Sequence, residues 1–370
     1  MSDLTETVLQ FGGGNFLRAF ADVFIQERNQ TTDPVGRVVV VQSTDSDRAS
    51  RINRQKGRYH VAVRGLEAGK EIDTCIEVAC ISRALEARKE WDKVLAFSQS
   101  ETLKFIVSNT TEAGLSLVAE DRCEGLCPVS FPAKLLELLV SRFNSGNAGI
   151  TILPCELVEK NGDLLLDLVL QQADRWGLRG SVIAWIREEV VWLNTLVDRI
   201  VSGRPDDHPL LETDSLLTVA EPYAFWAVEE SRQTDRLFRH AAVKRVKDVT
   251  PYSLRKVRIL NGAHIALVLK AIPHGIETVR EAIEDREIGA WLTTLLFDEI
   301  VPTLEGVVDD PGEFAAQCLE RFANPFLDHR LADIALHKED KVRVRLEPTY
   351  EAYISKFGNR PRLLSELLGR

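Results

Sequence analysis

No apolar stretch of this sequence reaches the roughly eighteen residues that a membrane-spanning helix needs. There is no excess of basic charge either: 46 Lys and Arg stand against 56 Asp and Glu, a net charge of −10. Non-specific binding to nucleic acid and adhesion to an anionic membrane both need a basic surface, so neither partner is expected. An anionic small molecule can still enter a locally basic pocket. The first residues carry no basic segment leading into a long apolar one, so no secretory leader is expected and the chain reads as cytoplasmic. Cysteines are few: Cys75, Cys80, Cys123, Cys127, Cys155 and Cys318. Cys123 and Cys127 lie closest together, but no neighbouring His or second pair completes a ligand set, so no metal site and no disulfide framework are expected. Internal repeats and low-complexity linkers are also missing.

What is present suits a globular protein. At 370 residues, 45% apolar and 28% charged, the chain is long enough for two domains with a core each. Its first half alternates strand-like and helix-like runs. Val8–Phe11 breaks into Gly12-Gly13-Gly14, and a helix is expected from Asn15 to Glu27. Arg37–Gln42, with four consecutive valines, reads as a parallel strand buried on both faces. Tyr59–Arg64 and Ile72–Ile81 read as strands around a turn at Glu67–Gly69. A helix over Ala84–Gln99, a strand at Leu103–Ser108, a helix over Pro132–Asn144 and a strand at Gly149–Leu153 follow. From about Asn194 helical periodicity dominates, as in Ser253–Ala271 and Pro311–Phe322, with few strand candidates such as Val342–Leu346. The expected architecture is an α/β Rossmann-type parallel-sheet domain over residues 1–190. A mainly α-helical substrate or catalytic domain over residues 191–370 completes it.

The glycine run sits where a first strand ends and a helix begins. Such glycines allow a tight turn and a close approach to a pyrophosphate, and the helix start offers free N–H groups. Leu17 stands where a third fingerprint glycine is usual, so the motif is a weak match by itself. A glycine-rich strand-to-helix turn without a ligand has the same sequence. The second strand ends in Gln42, with Asp45 three residues on. Either can meet an adenosine ribose, whereas Arg48 can meet a 2′-phosphate, which leaves NAD and NADP both open.

The segment Arg255-Lys256-Val257-Arg258-Ile259-Leu260-Asn261-Gly262-Ala263-His264 concentrates groups suited to proton transfer. On an α-helix Lys256, Asn261 and His264 fall within an arc of roughly 140°, with about 12 Å of rise from Lys256 to His264. Oxidation of a carbinol needs a base for the hydroxyl proton and donors for the oxygen as it becomes a carbonyl. Lysine can be that base where burial or cationic neighbours, such as Arg255 and Arg258, depress its pKa. The bland alternative is a solvated Lys, an Asn capping a turn at Gly262 and a satisfied core His.

Three stretches together resemble the polyol-specific long-chain dehydrogenase family, which includes mannitol dehydrogenases and uronate reductases. They are Gly12-x-Gly14-Asn15-Phe16-Leu17-Arg18, Asn194-Thr195-Leu196-Val197-Asp198-Arg199-Ile200, and Lys256-x4-Asn261-x2-His264. Four more point to the uronate-reducing branch: Ser108-Asn109-Thr110-Thr111-Glu112-Ala113-Gly114, Pro154-Cys155-Glu156-Leu157, Leu260–His264 and Asn324-Pro325-Phe326. Leu157 stands where mannitol dehydrogenases tend to carry an oxygen-binding Asn, and Asp333 where they tend to carry Arg.

The resemblance implies a metal-independent, NAD(H)-dependent oxidoreductase acting on a sugar acid or polyol. It implies Lys256, Asn261 and His264 as catalytic residues. For the cofactor it implies Gly12, Gly14, Asn15, Phe16, Gln42, Asp45, Asn109 and Thr111, and for the substrate Arg258, His329 and Lys341. Mannitol, mannitol 1-phosphate and fructuronate are alternative substrates within the family. A nucleotide-binding sensor without turnover is the alternative from another class.

Overall fold

The computed structural model describes residues 4–111, 114–122, 126–230 and 239–370. Cys123, and Glu112 and Ala113 of the Ser108–Gly114 segment, lie outside the described residues.

Six parallel strands form the main sheet: β1 (Glu6–Phe11), β2 (Arg37–Gln42), β5 (Ile81–Glu86), β6 (Phe105–Ser108), β7 (Thr151–Pro154) and β8 (Val191–Trp192). Their spatial order is β5-β2-β1-β6-β7-β8, so the connections reverse direction at β1. In register, Phe11 pairs with Val41 on one side and with Ser108 on the other. The carboxyl ends of β1, β2 and β6 thus open one crevice, the place where a sheet of this kind takes a ligand. Val38 to Val41 have no exposure at all, as a strand covered on both faces requires. Each such side chain contributes about 1.5–3 kcal/mol of burial. Leu9, Phe11, Val39 and Ile106 share their core with Leu135 and Leu139 of α5 (Phe131–Asn144) and Val169 of α6 (Asn161–Arg175).

The turn at Glu67–Gly69 joins β3 (Tyr59–Glu67) to β4 (Lys70–Val78). Ala68 and Gly69 both have positive φ, +51° and +73°, the backbone of a two-residue hairpin whose twist matches its strands. The strand expected to continue to Ile81 stops at Val78. Ile81–Glu86 is a separate strand of the main sheet, and the helix expected from Ala84 begins only at Ala87.

Two compact units make up the chain, and the division does not fall near residue 190. One unit comprises residues 1–62, 75–220 and 224–249; the other comprises 63–74, 221–223 and 250–370. Residues from 194 to 249, expected to be helical, hold β9 (Thr195–Asp198), β10 (Val201–Gly203), β11 (Thr218–Ala220), β12 (Phe225–Glu229) and β13 (Val243–Val246). Strands of three to five residues are too short for their alternation to stand out against chance helical spacing.

The second unit is helical from Thr250 onward. Its core gathers Ile259, Leu260, Ile265 and Leu267 with Leu292, Leu296, Phe314 and Leu346. Val342–Leu346, read as a strand, lies instead within and just after a helix over Lys338–Arg345. Four alternating residues cannot outweigh Glu339 and Asp340 in its first turn and Arg343 and Arg345 in its last, which match the helix dipole. No helix among the described residues is long and apolar enough to cross a membrane.

Candidate active site

At the crevice of the first unit the chain leaves β1 through Gly12, whose φ of +118° is a conformation L side chains rarely adopt. A Cβ on Gly13 would stand 3.2 Å from Val40 Cγ1 and 3.3 Å from Ile52 Cδ1, so only a glycine packs there without shifting its neighbours. A Cβ on Gly14 would meet nothing within 4 Å. Gly14 therefore borders open space, as a backbone that cradles a phosphate must. The helix expected over Asn15–Glu27 is broken in two, α1 (Asn15–Arg18) and α2 (Ala21–Asn29), by Phe20 at φ −129° and ψ −91°.

A cavity of about 360 Å³ lies over this turn. Gly12, Gly14, Gln42, Asn109 and Thr111, expected from sequence at a cofactor, line it. Asn15, Phe16 and Asp45 do not. Asn15 Oδ1 accepts from Arg18 Nη2 at 2.6 Å, Phe16 stacks on Phe20, and Asp45, 97% exposed, reaches Arg88 at 3.6 Å. Gln42 is committed to its own loop: its amide donates to the carbonyls of Thr44 and Ser46 and accepts from the Ala49 N–H. Asn109 Nδ2 donates to the Cys155 carbonyl at 2.7 Å. Buried Glu156 accepts from the Thr110 N–H at 2.9 Å and from Ser108 Oγ at 3.1 Å, fixing the loop after β6. Burial pushes the Glu156 carboxyl up, against those bonds.

Sequence reasoning missed Ser130, Phe131 and Lys134 on the cavity wall. Lys134 is 4% exposed, its ammonium donates to the Val129 carbonyl, and burial pushes its pKa down. Ser130 caps α5, and the helix start at Pro132 was legible in sequence while its place on the cavity wall was not.

The second unit holds the other constellation. Between α8 (Thr250–Arg255) and α9 (Gly262–Ala271) the helix widens into a π turn over Lys256–Asn261. The i→i+5 bonding of such a turn brings residues five apart closer to one line than the 140° that separates them on an α-helix. Lys256 and Asn261 are five apart. Neither proline nor glycine lies inside the turn to force it. By contrast, a second π turn over Leu295–Ile300 runs into Pro302, whose ring conflicts with the preceding helical carbonyl.

Neither the capping Asn nor the satisfied core His of the bland alternative is found here. Asn261 occupies the N-cap of α9, yet its amide makes no capping bond and has no hydrogen-bond partner among the described residues. His264 is 7% exposed, and its Nε2 is buried with no partner. An unsatisfied buried nitrogen costs about 1–3 kcal/mol and calls for a functional explanation. Desolvation pushes the His264 pKa well down, and His329, Arg321, Arg345 and Lys256 push it further. The ring is therefore neutral, within a basic surround.

His329 stands edge-on to His264, with ring centroids 5.0 Å apart, and its Nδ1 is likewise buried and unpartnered. Its backbone is pinned: the His329 carbonyl accepts from the Val279 N–H at 3.0 Å, and Thr278 bridges to Arg330. Phe322 packs against His264 at 4.3 Å between centroids. Beside it Arg321 forms a bidentate pair with Glu221, at 2.9 and 2.7 Å, and lies 4.2 Å from the Tyr223 ring.

Arg258 donates to Thr349 Oγ1 at 3.1 Å, and Lys341 donates to the Ile334 carbonyl at 2.8 Å. Arg255 sits over the rings of Phe314 and Tyr252, 4.3 and 5.4 Å from their centroids. Arg345, within the run read from sequence as a strand, is half-buried, and desolvation lowers its pKa.

Comparison with known proteins identifies the family. The mannitol dehydrogenase Rossmann domain family matches residues 6–239, and the mannitol dehydrogenase C-terminal domain family matches residues 248–367. Altronate oxidoreductase of Bacillus subtilis (strain 168) is 38% identical over 97% of this chain and 77% of its own length. That of Enterobacter sp. (strain 638) is 37% identical, over 97% and 78%. Among solved structures, a substrate-free D-sorbitol dehydrogenase has a TM-score of 0.82 at 23% identity, over 99% of this chain and 81% of its own. Pseudomonas fluorescens mannitol 2-dehydrogenase, solved with NAD and D-mannitol, has a TM-score of 0.78 at 20% identity, over 99% and 78%. These two likenesses speak to the fold. From the glycine turn, the Lys-Asn-His constellation and the matches along nearly its whole length, this chain belongs to the mannitol dehydrogenase family and is a dehydrogenase acting on CH–OH groups.

Proposed function

We propose that the protein interconverts a keto-uronate, tagaturonate, and its aldonate, altronate, with NAD(H), without a metal and in the cytoplasm. The observation that carries this reading is the buried pair of unsatisfied imidazole nitrogens on His264 and His329 in a surround of Lys256 and Arg345. A neutral polyol has no need of such a surround, whereas a sugar carboxylate gains from it. The names of the altronate oxidoreductases support the same substrate.

The Gly12–Gly14 turn, the open space at Gly14 and the cavity above it fit a dinucleotide. When bound, its nicotinamide ring accepts or gives the hydride. Lys256 takes the proton of the substrate hydroxyl during oxidation and returns one to the carbonyl oxygen during reduction. Asn261 and His264 hold that oxygen, and the unsatisfied His264 Nε2 gains a partner as they do so. His329, Lys341 and Arg258 form the substrate-binding side of the site. Proton and hydride leave separate atoms of one carbinol, so the residues move a single proton per turnover.

One observation favours a second reading of the cofactor. Arg48 lines the cavity and Asp45 does not, which supports NADPH as an alternative to NADH. NADH and NADPH oxidation by purified protein, followed by absorbance with tagaturonate, fructuronate, fructose and fructose 6-phosphate in EDTA, tests both readings. Turnover of tagaturonate that persists in EDTA and is lost in Lys256→Ala supports the proposal. Preference for another sugar changes the substrate. Binding of cofactor without turnover of any sugar points to a sensor.

A further inference from the structure

Beneath the glycine turn lies a buried polar cluster that the reaction does not use. Asp22, on α2, has no exposure, and its Oδ1 has no hydrogen-bond partner. Its Oδ2 accepts from Tyr59 Oη at 3.0 Å and from Gln10 Nε2 at 3.4 Å. Both partners lead to the turn. Gln10 Nε2 also donates to the Gly12 carbonyl at 3.0 Å, and Tyr59 Oη is 2.8 Å from the Arg18 carbonyl. Arg18 Nε donates to the Gly13 carbonyl at 3.1 Å, and its Nη2 to Asn15.

Every acceptor of the Arg18 guanidinium is neutral: the carbonyls of Gly13 and Leu216, and Asn15 Oδ1. It has no ion-pair partner among the described residues, although it is 3% exposed and lies 5.1 Å from the Tyr59 ring centre. The groups that face Asp22 are Arg18 on α1, Gln10 on β1, Tyr59 on β3 and Cys80, whose thiol donates to the Asp22 carbonyl.

From this geometry we infer that Asp22 is a positioning residue of the dinucleotide turn that binds cofactor in its protonated form, so that cofactor binding takes up a proton. This rests on the dinucleotide reading of the turn. A carboxylate beneath the turn repels the pyrophosphate that settles on it, and Coulomb repulsion in a desolvated site is screened only weakly. Binding the anion therefore raises the proton affinity of Asp22, and by reciprocity the proton strengthens binding. The cluster is set to respond near neutrality. Burial pushes the Asp22 carboxyl up to about 7, against the bonds from Tyr59 and Gln10 and the charge of Arg18.

ADP-ribose, which carries the pyrophosphate and has no phosphate monoester, is the probe. Calorimetric titration of the full chain at pH 7, in buffers of different ionisation enthalpy, measures protons taken up per ligand bound. We expect net uptake, and an ADP-ribose Kd that weakens by about five- to tenfold from pH 6 to pH 8. In Asp22→Asn, a neutral side chain of the same shape, uptake and pH dependence should both vanish while binding persists.

Binding of ADP-ribose with no proton uptake by the wild-type chain overturns the inference and leaves the dinucleotide reading intact. Undiminished uptake in a folded Asp22→Asn also overturns it. If Asp22→Asn does not fold, the wild-type uptake decides. Failure of ADP-ribose to bind at all overturns the dinucleotide reading and this inference with it.

Discussion

His264 and His329 face each other edge to face, 5.0 Å between ring centres, and each keeps one buried ring nitrogen without a hydrogen bond. Two neighbouring imidazoles left unsatisfied in one place are an arrangement that a ligand completes. His329→Ala and Arg345→Gln should each raise KM for a sugar acid by roughly tenfold to a hundredfold, the worth of one charge-assisted hydrogen bond. The kcat should change much less. Steady-state kinetics with an acid and a neutral sugar side by side check this. Equal losses on both would count against a carboxylate subsite.

Lys256→Ala should lower kcat by about 10²- to 10⁴-fold, the range for loss of a positioned acid–base group. Cofactor affinity, measured by quenching of protein fluorescence, should hold. A parallel fall in cofactor affinity would mean that the lysine serves binding instead.

The glycines of the turn should separate into two kinds. Gly14→Ala adds a methyl group into open space, so the melting temperature should stay while cofactor affinity falls. Gly12→Ala forces a side chain onto a φ of +118°, so melting temperature and affinity should fall together. Thermal melts with and without NADH distinguish the two.

Glu221→Ala strips its partner from an Arg321 whose side chain is 3% exposed. Removing one member of a buried ion pair costs about 3–5 kcal/mol, so this variant should melt well below the wild type. A melt within a degree or two of wild type would show that the guanidinium finds water or another acceptor.

Acid should destabilise the second unit through its histidines. His264 and His329 have pKa values pushed below the ordinary 6.5, chiefly by burial, so the unfolded chain binds their protons more readily. Stability from these groups is then present above about pH 6.5 and lost as pH falls below it, until the folded-state pKa values are reached. Melting temperature followed from pH 7.5 to pH 5 should fall less steeply in His329→Gln than in wild type.

The candidate site was legible where chemistry and local backbone coincide. Gly12 and Gly14 stood out because they follow a strand end and open a helix, and Lys256, Asn261 and His264 because their spacing resembles a family pattern. Asp45 was expected at the cofactor from its distance along the chain, whereas its carboxylate lies beside Arg88 and off the cavity wall. Lys134 and Ser130 reach the cavity only through the packing of α5 on the sheet, a contact between residues over a hundred positions from the glycine turn. The parallel sheet was evident from Val38 to Val41, whereas the short strands from Thr195 to Val246 carry too few residues to show a period. The π turn had no signal: nothing in Lys256–Asn261 breaks a helix, so an α-helix was the natural expectation.

That wide turn gives the helix slack in length at one place. Deleting one residue within Lys256–Asn261 would let the i→i+5 bonds become i→i+4 bonds, and the helices on either side would keep nearly the same phase. What would change is the wide turn itself, and with it the alignment of residues five apart. A deletion inside the regular helix over Gly262–Ala271 has no such slack: every residue before it would turn by about 100° relative to those after it. The loss of a codon is therefore absorbed at the turn and disruptive one helical turn further on.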